Sequence, residues 1–345
     1  MIDPSLQKIF ILSAVSFLLT ILLSPLLTRF LYKHKIGKQI RQDKDTPNFS
    51  KIHKGKEGTP TMGGILIWGV TALLCVLLWV TARLDIEFLK PLNFLNRRET
   101  LLALGAMLGA AALGFLDDFL DVRRRGYKGR GLRFRVKVIF YAAVGLIGAY
   151  WFYVNLGIDY VYIPYIGNVV LGWLFIPLFV LVVVGTSFAV NLTDGLDGLA
   201  GGLLAISFFV FALISYLQLR PNLATFLGVV VGALLAFLWF NIFPARYFMG
   251  DTGSMALGTL LAIVAFHNNV VYLLPFVGFV FVIEAFSVLI QMMWKAMFGK
   301  KLLLSSPIHH HFETYGWPET KVTMRFWVIG AVTALIAMVI YLGVK

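Results

Sequence analysis

Six aspartates lie in three short segments of a chain that carries little charge elsewhere. The segments are GFLDDFLD (114–121), NLTDGLDG (191–198) and FMGDTGS (248–254), and the aspartates are Asp117, Asp118, Asp121, Asp194, Asp197 and Asp251. Carboxylates crowded beside apolar sequence repel one another and need a counter-charge, either from nearby arginines or from a bound divalent cation. Because the donors are oxygen atoms and the chain has a single cysteine, the cation favoured is Mg²⁺ rather than Zn²⁺.

Each segment also has a purely structural interpretation. Asp251 precedes Thr-Gly-Ser at the predicted start of a helix, where an aspartate commonly caps the N-terminus. Asp194 and Asp197 could complement the positive N-terminus of the helix that follows them. The pair Asp117 and Asp118, in contrast, ends a predicted helix, where the helix dipole disfavours anions. The group as a whole therefore indicates a cation site, although no single aspartate does.

The elements that must position these acids are membrane spans. The 345 residues are 59% hydrophobic and 14% charged, and the mean hydropathy is +0.84, which is typical of an integral membrane protein. Since a span needs about 20 apolar residues, the apolar runs predict ten helices, at 6–32, 61–82, 99–119, 134–156, 170–189, 198–218, 223–240, 252–267, 271–298 and 323–344. The predicted fold class is an all-α polytopic membrane protein, a single domain over 1–345, with a short periplasmic β-hairpin expected around the Gly-Asn pair within 159–170.

The basic residues predict on which side of the membrane each loop lies. Loops after odd-numbered spans hold 23 of the 30 lysines and arginines, and the other seven lie on the opposite side. Because positively charged loops stay in the cytoplasm, both termini are predicted to be periplasmic. All three aspartate segments follow odd-numbered spans and should converge on the cytoplasmic face. The net charge of +13 indicates contact with anionic lipid in the bilayer, and no motif accompanies it that would indicate nucleic-acid binding.

Two lysines on the same face could bind a phosphate-bearing ligand. The segment KEGTPTMGG (56–64) places Lys56 and Thr61 on a glycine-rich turn before the second span, where exposed backbone N–H groups bind anions. Lys137 ends a long basic run and enters the fourth span. The other cations of that run are more typical of a belt that faces lipid headgroups.

A histidine-rich loop and a polar stripe complete the candidates. Residues 306–319 read SPIHHHFETYGWPE and contain three consecutive histidines. Successive side chains diverge, so hydrogen bonds to a diphosphate are favoured over a metal cage, with a structural anchor as the alternative. In the ninth span, Glu284 and Gln291 share one helix face, which is typical of a face turned toward protein or a water-filled cavity.

Together, these segments resemble those of the phospho-N-acetylmuramoyl-pentapeptide transferases (the MraY family), within the polyprenyl-phosphate N-acetylhexosamine-1-phosphate transferase superfamily. The matching motifs run in family order: GTPTMGG (58–64), GFLDDF (114–119), NLTDGLDGLA (191–200), FLWFN (237–241), FMGDTGS (248–254) and PIHHHFETYGWPE (307–319). The aspartate motifs are common to the superfamily, whereas the histidine segment separates this branch from relatives that transfer other sugars.

The resemblance implies a reaction and its participants. UDP-MurNAc-pentapeptide and undecaprenyl phosphate would give lipid I and UMP with Mg²⁺, the first membrane step of peptidoglycan synthesis, at the cytoplasmic face of the bacterial inner membrane. It also implies a homodimer. One position departs from the family pattern, which usually has asparagine three residues before the Asn of NLTDG, whereas this chain has Phe188. A polar contact of the family's site is therefore missing here or supplied by another residue.

The same resemblance assigns roles to residues of the matching motifs. The catalytic set would be Asp117 and Asp118, at the phosphate of the lipid carrier, with Asp194 and Asp251, which would also be the metal ligands. The uridine pocket would be formed by Gly195, Leu196, Asp197, Asn241 and Phe248, with the Phe248 ring stacked on the base. Substrate contacts in the nucleotide and diphosphate region would come from Lys56, Thr61, Lys137, Asn191, Gln291, His309, His310 and His311.

Two other functions are compatible with parts of the sequence. A sister transferase that uses UDP-GlcNAc would share the aspartates, but the histidine segment disfavours it. A cation-coupled transporter would also hold acids within the membrane. Transporters commonly show inverted repeats and sites near mid-membrane, whereas these acids gather at one face and no repeat is visible. A purely structural assembly protein would leave the aspartates unexplained.

Overall fold

The computed structural model describes residues 3–37, 56, 58–95, 98–123, 125, 127 and 131–344, so parts of the two basic stretches lie outside the described residues. The helices in chain order are α1 (Pro4–Lys33), α2 (Ile65–Arg83), α3 (Arg98–Val122), α4 (Phe134–Tyr150), α5 (Phe175–Thr193), α6 (Leu199–Leu217), α7 (Pro221–Asn241), α8 (Asp251–His267), α9 (Leu274–Val277), α10 (Phe279–Phe298), α11 (Ile308–Thr314) and α12 (Glu319–Gly343). A π-helical turn, Trp151–Asn155, extends α4.

Nine helices of the described chain are long and apolar enough to cross a membrane, and α8, with 17 residues, is a shorter apolar helix beside them. The predicted all-α polytopic membrane fold is confirmed. The third helix runs three residues further than predicted, to Val122, so Asp121 lies within α3 together with Asp117 and Asp118 rather than beyond its end.

The core of the bundle consists of α6, α7 and α8. Within their most apolar stretches, α6 and α7 bury 78% of residues, against 22% for α1 and 28% for α12. Every residue from Thr252 to His267 of α8 is buried, and this helix packs against α3 and α5. A helix that is surrounded by protein does not have to match the thickness of the lipid, which explains why the predicted eighth span is short.

The predicted ninth span, 271–298, is not one continuous helix. A 3₁₀ turn covers Val271–Leu273, α9 follows to Val277, and α10 begins at Phe279 after Gly278. Pro275 lies in the first turn of α9, where its missing N–H costs nothing, and Gly278 separates the two helices. The apolar composition predicted the span correctly, but it does not report such a break.

The expected hairpin is present between α4 and α5. Strands β1 (Tyr160–Ile163) and β2 (Gly167–Val170) pair antiparallel, with Tyr160 opposite Val170 and Ile163 opposite Gly167. The turn is formed by residues 164–166, in which Tyr165 has φ +64°. The Gly-Asn pair expected at the turn belongs to β2 instead, because a three-residue loop before it already reverses the chain.

Small polar side chains tie the helices together inside the apolar bundle. The Ser16 hydroxyl of α1 donates to the carbonyl of Val229 in α7 at 2.7 Å. The hydroxyls of Ser187 in α5 and Thr259 in α8 are 2.7 Å apart. Such contacts satisfy polar atoms that lipid could not and require closely spaced backbones.

We expect Gly232→Ala to destabilise the packing of α1 on α7. A Cβ atom at Gly232 would lie 2.1 Å from the Ser13 carbonyl oxygen, which is backbone and cannot rotate away. Overpacking of this kind costs about 1–3 kcal/mol. The matched control is Gly105→Ala in α3, where nothing lies within 4 Å of the added atom. Thermal unfolding in detergent should show a lower midpoint for G232A alone, and equal midpoints would contradict the assigned packing.

Candidate active site

Three chain segments meet at one end of the bundle through a single lysine. Lys137, in the first turns of α4, places its Nζ atom 2.6 Å from Asp117 Oδ2 and 2.6 Å from Asp251 Oδ2. The two carboxylate oxygens therefore lie within twice that distance of one another. The side chains of Lys137 and Asp251 each remain 20% exposed, so a ligand can reach this group. Two acids that are 134 positions apart in the sequence are thus brought together as predicted.

Asp117 is oriented from its other side as well. Its Oδ1 atom accepts a hydrogen bond from the Leu132 N–H at 2.5 Å, just before α4 begins. A Cβ atom at Gly131 would lie 2.4 Å from the same Oδ1 atom, so the chain can approach the carboxylate only where glycine stands. One oxygen of Asp117 is therefore fixed by backbone, and the other faces Lys137.

Asp118 has a different environment from its neighbour. Its Oδ1 accepts the N–H of Asp251 at 3.1 Å and its Oδ2 accepts the N–H of Thr252 at 3.0 Å. Asp118, which belongs to α3, therefore caps the N-terminus of α8. The residue before α8 is Gly250, which has no side chain that could do so. Gly250 has φ +74°, and a Cβ there would lie 2.5 Å from Asp118 Oδ2. These contacts point to positioning of Asp251 rather than to the catalytic role predicted for Asp118.

The end of α5 contributes the next contacts. The Asn191 side-chain amide donates to Asp251 Oδ1 at 2.8 Å and lies 2.9 Å from Ser254 Oγ. Asp251 is therefore held on one oxygen by an amide and on the other by an ammonium, and it does not cap its own helix. Asp194 follows one turn after Asn191, and its backbone N–H closes α5 on the Asn191 carbonyl at 3.2 Å. The backbone thus brings Asp194 to the same helix end as the amide that holds Asp251.

A second cluster surrounds Lys56. Its Nζ atom lies 2.6 Å from Asp197 Oδ1 and 2.5 Å from Glu319 Oε1, and 5.8 Å from the centre of the Phe248 ring. Asp197 Oδ2 accepts the Ala245 N–H at 2.9 Å. Lys56 thus lies between Asp197 and Phe248, two of the residues predicted for the uridine pocket.

The loops of this cluster are fixed by backbone contacts. Asn241 accepts the Gly198 N–H at 3.0 Å through Oδ1 and donates to the Tyr247 carbonyl at 2.9 Å through Nδ2. Asn241 therefore connects the loop after α5 to the loop after α7, and both of its amide atoms are already paired with protein. Burial raises the pKa of the Tyr247 hydroxyl to about 12, and its hydrogen bond with the Ser24 hydroxyl, at 3.1 Å, opposes this shift.

The glycine-rich turn before α2 pairs with the Phe248 segment. The N–H groups of Gly63 and Gly64 donate to the carbonyls of Phe248 and Met249 at 2.8 and 2.9 Å. Those N–H groups are therefore satisfied internally, so this turn does not offer them to a phosphate as the sequence suggested. Thr61 is buried, with 5% of its surface exposed, and its hydroxyl lies beside Gly250.

The three histidines have different hydrogen-bond partners, although the rings of His309 and His310 are in contact, with centroids 4.0 Å apart. His309 is fully buried, and its Nδ1 atom lies 2.9 Å from Glu284 Oε2, while a Cβ at Gly195 would lie 2.3 Å from its Nε2 atom. His310 contacts Glu313 within α11 at 2.6 Å. His311 accepts the Leu304 N–H at 3.1 Å. Only His309 is directed at the loop after α5, next to Leu196 and Asp197.

Two positions at which the family pattern has a polar contact, 291 and 188, have other neighbours in this chain. Gln291 accepts the N–H groups of Leu302 and Leu303 at 3.1 and 2.9 Å, so its amide holds the loop that leads to the histidines. Phe188, where the family pattern has asparagine, packs its ring 5.2 Å from Phe134 and 6.0 Å from Tyr141. An aromatic cluster thus replaces the polar contact, and Asn191 reaches Asp251 without it.

The charges of the first cluster fit a divalent cation. Asp117, Asp118 and Asp251 carry three formal negative charges against one positive charge on Lys137. Among the described residues, no group of three or more His, Cys, Asp or Glu side chains is arranged around a common metal position. Mg²⁺ commonly takes one or two carboxylates and completes its shell with water and substrate phosphates, so it does not require a cage of three side chains. Asp251 offers a partly exposed carboxylate, whose oxygens are held by the Asn191 amide and the Lys137 ammonium.

Sequence reasoning missed Glu319 and Ser254. Glu319 is the last residue of the GWPE motif, which separated this branch from its relatives, so the signal was present but no role was attached to it. Ser254 gave no signal beyond its place in FMGDTGS. A hydroxyl that contacts Asn191 from the first turn of α8 becomes visible only when α5 and α8 pack together.

Comparisons with known proteins agree with this geometry. A family model described as "Glycosyl transferase family 4" matches residues 100–269, the stretch that carries the aspartates at 117, 118, 194 and 251. The bundle and its carboxylate cluster therefore define a multi-pass membrane glycosyl transferase. A second model, "Phospho-N-acetylmuramoyl-pentapeptide-transferase signature 1", matches residues 56–67.

Curated relatives match nearly the whole chain. The phospho-N-acetylmuramoyl-pentapeptide-transferase of Chloroflexus aggregans is 39% identical over 96% of this chain and 89% of its own length. Those of Geobacillus thermodenitrificans and Halalkalibacterium halodurans are 40% and 39% identical, covering 97% and 98% of this chain and 98% and 99% of their own lengths. The chain belongs to the phospho-N-acetylmuramoyl-pentapeptide-transferase family. The predicted family and the predicted enzyme class are confirmed.

We expect Asp118→Asn to lower stability. Asparagine offers one side-chain oxygen in place of two, so an N–H group at the start of α8 loses its acceptor, at a cost of about 1–2 kcal/mol. The measurement is thermal unfolding in detergent. Asp121→Asn on the same helix is the control, because among the described residues Asp121 accepts a single long hydrogen bond, from Gly131 at 3.3 Å. Unchanged stability of D118N together with lost activity would indicate direct catalysis by Asp118 instead.

Proposed function

We propose that the protein transfers phospho-MurNAc-pentapeptide from UDP-MurNAc-pentapeptide to undecaprenyl phosphate, giving lipid I and UMP. In this reaction an oxygen of the lipid phosphate attacks the sugar-bearing phosphorus, and the bond from that phosphorus to UMP breaks. The observation that carries the proposal is the meeting of Asp117, Lys137 and Asp251 at one end of a membrane bundle, in a chain of this family. Phosphoryl transfer depends on positioning and on charge neutralisation, and this cluster offers both.

Asp117 is the residue best suited to receive the lipid phosphate. It lies near the end of α3 at the bundle end, and its Oδ1 is fixed by the Leu132 N–H. Its Oδ2 atom shares Lys137 with Asp251. We assign Asp117 the role of accepting a proton from the lipid phosphate, and Lys137 that of neutralising negative charge on the transferring oxygens. We assign Asp118 the role of holding Asp251 in place.

Asp251 and Asp194 are the residues that we propose to hold Mg²⁺. The cation, when bound, would neutralise the diphosphate and favour departure of UMP. Asn191 and Lys137 restrict the Asp251 carboxylate to one orientation. The net negative charge of the cluster keeps an uncompensated phosphate away, so nucleotide and cation should bind together.

The uridine end of the donor would bind at the Lys56 cluster. The Phe248 ring offers a flat face for the base, and the loop of Gly195, Leu196 and Asp197 lies beside it. The Lys56 ammonium is balanced by two carboxylates, which suits a neutral base better than a phosphate. His309 lies against the same loop at Gly195, and we assign it a contact with the diphosphate or sugar.

The membrane side is also part of the proposal. Because positively charged loops favour the cytoplasmic side, we propose that the clustered acids lie at the cytoplasmic face, where a soluble nucleotide would meet the phosphate of a lipid in the inner membrane. The homodimer implied by the family stays a prediction.

We expect Asp251→Asn to lower UMP release about a hundredfold or more, as expected for loss of a charged group that stabilises the transition state. A Mg²⁺ titration should not restore it, because the missing charge belongs to the protein. Asp85→Asn is the matched control, since Asp85 is 79% exposed and pairs only with Lys90 among the ion pairs of the described residues. Full activity of D251N at high Mg²⁺ would refute the ligand assignment.

Donor choice separates this function from that of the sister transferase. With undecaprenyl phosphate and Mg²⁺, we expect UMP release from UDP-MurNAc-pentapeptide and none above background from UDP-GlcNAc. The measurement is release of UMP with each donor at equal concentration. Release from UDP-GlcNAc alone would overturn the proposed donor, and uptake of a cation without any UMP would favour a transporter.

A further inference from the structure

Glu319 has contacts that none of the roles assigned above uses. It is the first residue of α12, and its side chain is 10% exposed. The Oε1 atom accepts from Lys56 Nζ at 2.5 Å and from the Asp197 N–H at 2.6 Å. One carboxylate oxygen from the last helix thus serves two residues of the uridine end, which come from opposite parts of the chain.

The three residues form a closed network. Lys56 also contacts Asp197 Oδ1 at 2.6 Å, so each member contacts the other two. The second carboxylate oxygen of Asp197 accepts the Ala245 N–H at 2.9 Å. The backbone carbonyl of Asp197 accepts the Thr323 hydroxyl at 3.4 Å. Asp197 is therefore held on several sides, whereas the hydrogen bonds of the Lys56 side chain among the described residues are those to the two carboxylates.

The network sets what Lys56 can offer to a ligand. An ammonium has three N–H donors, and two of them point at Asp197 and Glu319. Within the part of the chain that the structure describes, the third donor has no acceptor and can serve a ligand beside the Phe248 ring, whose centre lies 5.8 Å from Nζ. Without Glu319, the long lysine side chain regains rotamers, and its ammonium loses one of two charge-assisted hydrogen bonds in a largely buried position.

We propose that Glu319 is a positioning residue for nucleotide recognition, which fixes Lys56 and the Asp197 backbone in the geometry that receives the base. This inference rests on the proposed function. Because Glu319 lies at the uridine end of the site, its substitution should affect binding of the nucleotide and not the transfer step. A residue that only anchored α12 would instead lower stability and affect both substrates alike.

The test is direct binding of UMP to the full-length protein in detergent, by calorimetry, beside steady-state kinetics. We expect Glu319→Gln to weaken UMP binding about tenfold or more, as for loss of a charge-assisted hydrogen bond. KM for the UDP substrate should rise by a similar factor, while kcat and KM for undecaprenyl phosphate change less than about threefold. Glu87→Gln, at an exposed position, should bind UMP like the wild type.

A double-variant comparison isolates the contact. Lys56→Met keeps the length of the side chain and removes its charge, and we expect E319Q combined with K56M to bind UMP no more weakly than K56M alone. Additive losses, or wild-type UMP affinity in E319Q, would overturn the inference. If E319Q fails to accumulate in membranes, Glu319→Asp provides the same comparison, because its shorter side chain retracts the carboxylate. Wild-type protein that binds UMP but transfers nothing would defeat the proposed function instead.

Discussion

The candidate site depends on one ammonium group placed between two carboxylates. Lys137 lets Asp117 and Asp251 approach each other at the edge of an apolar bundle, where their mutual repulsion would otherwise be uncompensated. The local charge stays negative even so, which makes the site receptive to a further cation. Helix α8 can be short and fully buried because its polar first turn is held by three neighbouring helices: α3 through Asp118, α4 through Lys137 and α5 through Asn191.

The sequence predicted the membrane helices and the meeting of the acids for physical reasons that are local. Apolar runs have a fixed length in a bilayer, so the spans follow from composition. The side on which each loop lies stays a prediction from the positively charged residues. The break before α10 and the central position of α8 do not follow, because both depend on neighbouring helices. Likewise, the sequence identified Asp118 as an acid in the right place, but its carboxylate is paired with backbone N–H groups that only the packed structure brings near.

The motif resemblance identified candidate site residues but did not predict which atoms they contact. Gln291, for example, belongs to the candidate set by motif, yet its amide holds the loop of Leu302 and Leu303. The reverse holds for Glu319, which lies in a quoted motif and carries contacts that no pattern could assign. Phe188 shows a third case, in which a missing polar residue is replaced by an aromatic cluster with Phe134 and Tyr141.

The cap that Asp118 supplies has a consequence for how a diphosphate can be bound. The N-terminus of a helix is a common seat for phosphate, because its free N–H groups and partial positive charge attract anions. In α8 the first two of those groups already donate to a carboxylate of the protein itself. These two N–H groups are therefore not available to a phosphate. In the proposed function, the charge of the nucleotide diphosphate would instead be neutralised by side-chain ammonium groups and by the cation.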